Sequence, residues 1–154
     1  LAATSLQGAG LQLRMLVNAR AQREALVLAD ALVHALLGER NNFSSSAQLG
    51  RGKCLADDTS PLCEDFDLEI PVGLLPADGV RLAVRIVRQY PELETRFAMV
   101  GEDPVAHAIY EVQIELDGSA VGSGSADIAQ GVAVPQGVGP LLLIYWRQVG
   151  LEAL

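Results

Sequence analysis

The stretch from Ser5 to Leu37 constrains the fold more than any other part of this sequence, because apolar residues recur along it at steps of three and four. That spacing puts them on one face of a helix. The members of this row are Leu13, Val17, Ala21, Ala25, Leu28, Leu32 and Leu36. Leu26, Val33 and Leu37 widen the face in the second half, whereas polar residues narrow it in the first half. We therefore predict one long helix over about residues 5–37, with its second half covered by a sheet and its first half partly free.

The segment after this helix has the composition of a loop. Gly38 is a suitable helix end, because glycine accepts the left-handed conformation that closes a final turn. Residues 39–60 are rich in asparagine, serine, glycine and aspartate, all of which favour turns. We predict a loop over residues 38–64, between the helix and the first strand.

The rest of the chain alternates apolar and polar residues, which is the pattern of strands with one solvent-facing side. The predicted strands are residues 66–70, 80–90, 108–116, 125–134 and 141–149, and residues 95–100 are either a short strand or a loop rim. Asp117-Gly118 favours a tight hairpin. The run LLLIYW is apolar on both faces and is predicted to lie centrally or to be covered on both sides. One helix packed on four or five antiparallel strands over residues 65–149 gives an α+β fold.

Length and charge narrow the function classes. The chain has 154 residues, half of them hydrophobic, which is one domain's worth and enough for a substantial core. Its formal net charge of −8 argues against nucleic-acid binding, which needs a surplus of lysine and arginine. Arg14, Arg20 and Arg23 are interpreted as a solvated helix face. The domain is predicted to span residues 1–150, and residues 151–154 begin like a protease-cleavable tag.

Cys54 and Cys63 are the two cysteines of the chain and bracket part of the predicted loop. In an oxidising compartment this spacing favours a disulfide, whose closed loop would contribute roughly 2.5 kcal/mol. A metal site needs two further ligands, and His34 and His107 are distant in sequence. Free thiols are the third alternative.

The sequence carries none of the strong enzymatic motifs: it has no Gly-x-Ser-x-Gly elbow, His-Glu-x-x-His helix or phosphate-cradling glycine loop. Adjacent acids such as Asp57-Asp58 are interpreted as solvated turns, and they lack the spacing of a calcium-binding EF-hand. Tyr145 and Trp146, next to an apolar run, are assigned to the core or the sheet surface. We predict a protein that is not an enzyme and uses no cofactor or metal.

A family resemblance lies within the predicted helix. The residues that carry it are Arg14-Met15, Asn18, Ala25 and Ala29-Asp30-Ala31 in one ungapped spacing, with Ser5-Leu6-Gln7 upstream after a shifted spacing. This segment resembles the region just after the transmembrane span of PilX-type minor pilins of type IV pili. The chain departs from that pattern at Asp30, where the family usually has glutamate, and at Leu16-Val17, where it usually has alanine and glycine.

The resemblance implies a pilin-like fold and a membrane-spanning helical segment upstream of Leu1. It implies a subunit held in the inner membrane of a Gram-negative bacterium, with a periplasmic domain that later joins an extracellular pilus. Its partners would be other minor and major pilins, and its role would be to prime assembly near the pilus tip and to promote aggregation or adhesion to host or neighbouring cells. The residues expected to contact other subunits are Leu13, Arg14, Met15, Val17 and Asn18. The alternative is that these residues merely belong to a solvated, amphipathic helix.

Two other functions fit the same sequence pattern. A minor pseudopilin of a type II secretion system has the same helix-on-sheet plan, and calcium at a C-terminal loop would favour it. A soluble periplasmic ligand-binding domain would have a fully packed helix and a closed apolar pocket near Tyr145 and Trp146.

Overall fold

The computed structural model describes residues 2–43, 48–95, 105–135 and 141–150. Its first element is a helix, α1, over Ala2–Gly38. At 1.5 Å per residue this helix is about 55 Å long. The predicted helix is therefore confirmed, including its end at Gly38.

Six strands form one sheet. They are β1 (Gly52–Cys54), β2 (Cys63–Asp65), β3 (Arg81–Thr95), β4 (Val105–Asp117), β5 (Ser125–Pro135) and β6 (Leu142–Gly150). Their order across the sheet is β2-β1-β3-β4-β5-β6. Antiparallel pairs join five of the strands, β1, β3, β4, β5 and β6. The sixth, β2, forms a short parallel pair with β1. The predicted α+β fold, one long helix packed on an antiparallel sheet, is confirmed.

The core lies between the second half of α1 and one face of the sheet. Leu32 and Leu36 are fully buried there, together with Val84 of β3 and Ile114 of β4. Side chains of a strand alternate between its two faces, so one set of residues in β3, β4 and β5 faces the core, and α1 packs mainly on β4 and β5. Replacing one leucine of this core by alanine would lower the free energy of unfolding by about 2–5 kcal/mol.

The strand predicted over residues 66–70 is wrong. This segment has no strand pairing in the structure, and Phe66 is half exposed. Leu68 and Ile70 still pack against the core, so their alternation anchors an irregular segment and does not form a strand. The buried side chain of Asn42 holds the segment: its Oδ1 accepts from Glu69 N at 3.1 Å, and its Nδ2 donates to Glu69 O at 3.3 Å.

Three further expectations need correction. The predicted loop over residues 38–64 contains β1 and the first two residues of β2. The hairpin after Asp117 is present, and β5 begins at Ser125 as predicted, but the turn is not a tight one, because residues 118–124 connect the two strands and contain a 3-10 turn over Ser119–Val121. The last strand, β6, forms an edge of the sheet, and Leu143 on it is half exposed, so the prediction of a central or fully covered strand is wrong.

Some expectations fall on residues outside this description. Of the uncertain segment 95–100, only Thr95 is described, and it ends β3. Tyr145 and Trp146 lie on β6, but their side chains are outside the described set. His107, predicted to precede a strand, lies within β4 and is buried.

Candidate functional site

The apolar row of α1, whose residues recur at steps of three and four, is exposed in the first half of the helix and buried in the second half. Leu13 and Val17 are 64% and 57% exposed, whereas Ala25 and Leu32, further along the same row, are 6% and 0% exposed. Ala21 marks the transition and is half-buried. Every side chain from Gln7 to Arg20 is exposed. We call residues 7–20 the arm; it is about 20 Å long.

Large apolar side chains surround the arm. Those more than half exposed are Leu11, Leu13, Met15, Leu16 and Val17. At about 100° per residue, Leu11 and Met15 lie on one side of the helix and Leu13 and Val17 lie on the opposite side, with Leu16 between them. The sequence predicted a narrow stripe here, but an apolar surface on several sides is typical of a helix that is buried by neighbours. The arm is therefore poorly suited to be a solvated amphipathic helix.

The arm emerges from the domain at Gly124. A Cβ atom at this position would overlap the carbonyl oxygen of Ala21 and the amide nitrogen of Gln22. Only glycine allows this close contact between the β4–β5 connection and the helix. Beside the contact lies an open groove of about 500 Å³, with Val17 and Leu28 on the helix side and Pro76 and Ala77 opposite.

All five predicted contact residues lie on the arm and are exposed. They are Leu13, Arg14, Met15, Val17 and Asn18. Sequence reasoning did not single out Leu11 and Leu16, which are exposed to the same degree. Leu11 and Leu16 lie outside the row of three- and four-residue steps. The large number of apolar residues on all sides of the helix is the sequence signal that could have identified these two residues.

The predicted disulfide between Cys54 and Cys63 is confirmed. Cys54 is the last residue of β1 and Cys63 the first of β2, so the bond joins the two strands across the connection 55–62. Within the described residues, the bond leaves no free cysteine.

Ion pairs of Arg85 link the β1–β2 connection, residues 55–62, to the sheet. Arg85 on β3 donates from Nε to Asp58 Oδ2 at 2.7 Å and from Nη1 to Glu115 Oε1 at 2.7 Å. The Asp58 side chain is only 4% exposed and that of Arg85 16%. Burial lowers the pKa of the Arg85 guanidinium, but the hydrogen bonds to Glu115 and Asp58 outweigh it, so the pKa lies above its usual value.

These groups line a polar groove of about 570 Å³ on the sheet face opposite α1. At its end, Asp117 accepts hydrogen bonds from the Ser119 hydroxyl at 2.6 Å, the Ser119 amide at 3.0 Å, Arg81 at 2.9 Å and Ser125 at 3.3 Å. The Ser119 hydroxyl contributes most to holding the pKa of the Asp117 carboxyl well below its usual range. Asp117 is therefore an ionised anchor for the turn that follows it, and it has no proton to donate near neutral pH.

The fold and the arm together define a class of protein: a helix-on-sheet domain whose helix extends beyond its own core with an unburied apolar surface. Among the described residues, no helix is both long and apolar enough to cross a membrane. Comparisons with protein-family models, with curated proteins and with solved structures found no match.

Proposed function

We propose that this chain is the extramembrane domain of a PilX-type minor pilin, a non-enzymatic structural subunit that takes part in type IV pilus assembly. In this proposal it acts in a tip or priming complex and promotes adhesion or aggregation. The observation that carries the proposal is the arm, whose apolar side chains are exposed around the helix.

The arm has a physical need for neighbours. A helix of this length gains little stability on its own, because most helical stability in proteins comes from packing. Full burial of a leucine, valine or methionine side chain contributes about 1.5–3 kcal/mol. Packing by surrounding helices would supply this burial on several sides of Leu13 and Leu16 at once. Contact with a single flat surface would leave the other side of the helix in water.

The Cys54–Cys63 disulfide supports the proposed location. Disulfides persist in oxidising compartments such as the periplasm and the cell surface. The bond therefore fits a subunit whose domain lies in the periplasm and later in an extracellular pilus. The inner-membrane anchor belongs to the proposal through the family resemblance alone.

The exposed arm also favours the pilin proposal over the ligand-binding alternative. A soluble ligand-binding domain requires a fully packed helix, whereas residues 7–20 of α1 are exposed. A minor pseudopilin of a type II secretion system would use the same arm in the same way, so only the assembled structure and its phenotype distinguish it from a minor pilin.

The experiment is a substitution in the full-length protein, in the bacterium that encodes it. We expect Leu13→Asp to reduce surface pili severely while the protein level in the membrane fraction is kept, because a buried charge in a helix bundle is costly. Gln7→Asp is the matched control: it places the same charge on an exposed position of the arm that lies outside the arc of large apolar side chains, and it should retain pili.

Pili are counted by electron microscopy, and secretion of exoproteins is measured in the same strains. Loss of secretion with intact pili would assign the chain to the secretion pseudopilus. Deletion of the gene with no effect on pili or on secretion would overturn the proposal.

A further inference from the structure

The closed connection between β1 and β2 brings three metal-binding groups together. The Sγ atoms of Cys54 and Cys63 and a carboxylate oxygen of Asp58 lie within 4.8 Å of one another. Cys54 is fully buried and the Asp58 side chain nearly so, whereas Cys63 is partly exposed. Two sulfur ligands and one oxygen ligand are a donor set that Zn²⁺ accepts.

We propose that, when the disulfide is reduced, Cys54, Cys63 and Asp58 bind one zinc ion. The reductant is a dithiol, which gives two electrons and two protons to the bond and becomes a disulfide itself. The two thiols formed then lose their protons to solvent as Zn²⁺ forms two Zn–S bonds and one Zn–O bond. Water takes the fourth position from the exposed side of Cys63.

A positive group lies next to the charge of this site. Two thiolates and the Asp58 carboxylate carry −3, and Zn²⁺ leaves the cluster at −1. The Arg85 guanidinium, with its Nε 2.7 Å from Asp58 Oδ2, offsets part of this charge and is shared with Glu115. A nearby guanidinium also orients a ligating carboxylate, as the partners of metal ligands commonly do.

Asp58 has hydrogen bonds of its own in addition to the restraint of the disulfide. Its Oδ1 accepts from Ser60 N at 2.9 Å, and its carboxylate is bonded to Arg85 on a strand of the central sheet. The third ligand is thus in place while the two sulfur atoms are still bonded to each other. The connection can therefore take two states: it holds a disulfide when oxidised and a metal site when reduced. This inference does not rest on the pilin proposal.

The test uses Co²⁺ as a spectroscopic probe of the full chain, reduced with a phosphine under anaerobic conditions. We expect one Co²⁺ per chain, a thiolate-to-cobalt charge-transfer band and visible d–d bands of four-coordinate cobalt, all bleached by one equivalent of Zn²⁺. The oxidised protein should show none of these bands. Cys63→Ser should weaken the charge-transfer band and the affinity together.

Asp58→Asn and Asp57→Asn form the matched pair. Both remove one negative charge, but Asp57 is an exposed neighbour outside the cluster. We expect Asp58→Asn to weaken Co²⁺ binding by about tenfold or more and Asp57→Asn to change it less than about twofold.

Asp58→His separates ligation from folding, because histidine binds zinc but cannot form the ion pair with Arg85. It should bind Co²⁺ more tightly than Asp58→Asn does. Equal affinities of the Asp57 and Asp58 variants, equal losses in Asp58→Asn and Asp58→His, or no charge-transfer band in the reduced wild type would each overturn the proposal.

Discussion

At the scale of single residues, two positions hold the arm and the adjoining turn in place. Gly124 lets the main chain of the β4–β5 connection touch α1 at Ala21, where the arm begins. Asp117 organises the start of the same connection through hydrogen bonds to Ser119, Ser125 and Arg81. The β4–β5 connection, which touches the base of the arm, is therefore shaped by a glycine at one end and an ionised carboxylate at the other.

Gly124→Ala should lower the free energy of unfolding by about 1–3 kcal/mol, the usual range for an added group in a tight contact. The Cβ atom would meet main-chain atoms of Ala21, which cannot move without shifting the helix. Urea denaturation measures the change. Gly73→Ala is the control, because a Cβ there meets nothing within 4 Å; a loss of the same size in both variants would contradict the proposed contact.

Asp117→Asn should remove a pH-dependent part of the stability. The pKa of Asp117 is lower in the folded chain than its usual value, so the carboxylate stabilises the fold above that usual value and loses this effect as the pH falls through the folded pKa. Wild type should therefore be more stable than the variant at neutral pH, and the difference should shrink from about pH 4 downward. Urea midpoints of both proteins across this range test it; a constant difference would refute the linkage.

At the scale of elements, α1 has two halves with different energetics. Its second half packs one face against the sheet, whereas residues 7–20 of its first half are exposed on every side. Because the arm has few contacts with the rest of the chain, its helical hydrogen bonds should open locally without unfolding of the domain.

Leu13→Asp should change the free energy of unfolding of the isolated domain by no more than about 0.5 kcal/mol, as expected for a surface position. Leu32→Ala, on the buried half, should cost about 2–5 kcal/mol. Hydrogen exchange should be faster for amides of residues 7–20 than for residues 25–37. A large destabilisation by Leu13→Asp would mean that the arm packs within its own chain, and it would remove the basis of the assembly proposal.

At the scale of the whole molecule, the disulfide fastens the β1–β2 edge, which the chain reaches through long connections. Replacing Cys54 and Cys63 together by alanine should lower the free energy of unfolding by roughly 2.5 kcal/mol, the value for a loop of this length. The oxidised wild type is the reference in urea denaturation. An unchanged midpoint would show that the other contacts of this edge, the Asp58–Arg85 ion pair and the strand pairing among them, hold it without the disulfide.

The sequence by itself determined those features that depend on local periodicity and spacing. The helix with its end at Gly38, the strands that became β3 to β6 and the cysteine pair could all be predicted, because each is encoded within a few neighbouring residues. The division of the helix into a partly free first half and a covered second half was also predicted, since polar residues interrupt the apolar surface of the first half.

Only the tertiary structure decided the features that depend on which distant residues meet. Residues 66–70 alternate like a strand, yet the Asn42 side chain takes the hydrogen bonds of Glu69. The apolar strand β6 lies at an edge, because its position follows from the order of the whole sheet. The Asp58 carboxylate lies beside both cysteines and is bonded to Arg85, which is 27 residues further along the chain. Periodicity records which side of an element is apolar, but it carries no information about the partner that side will find.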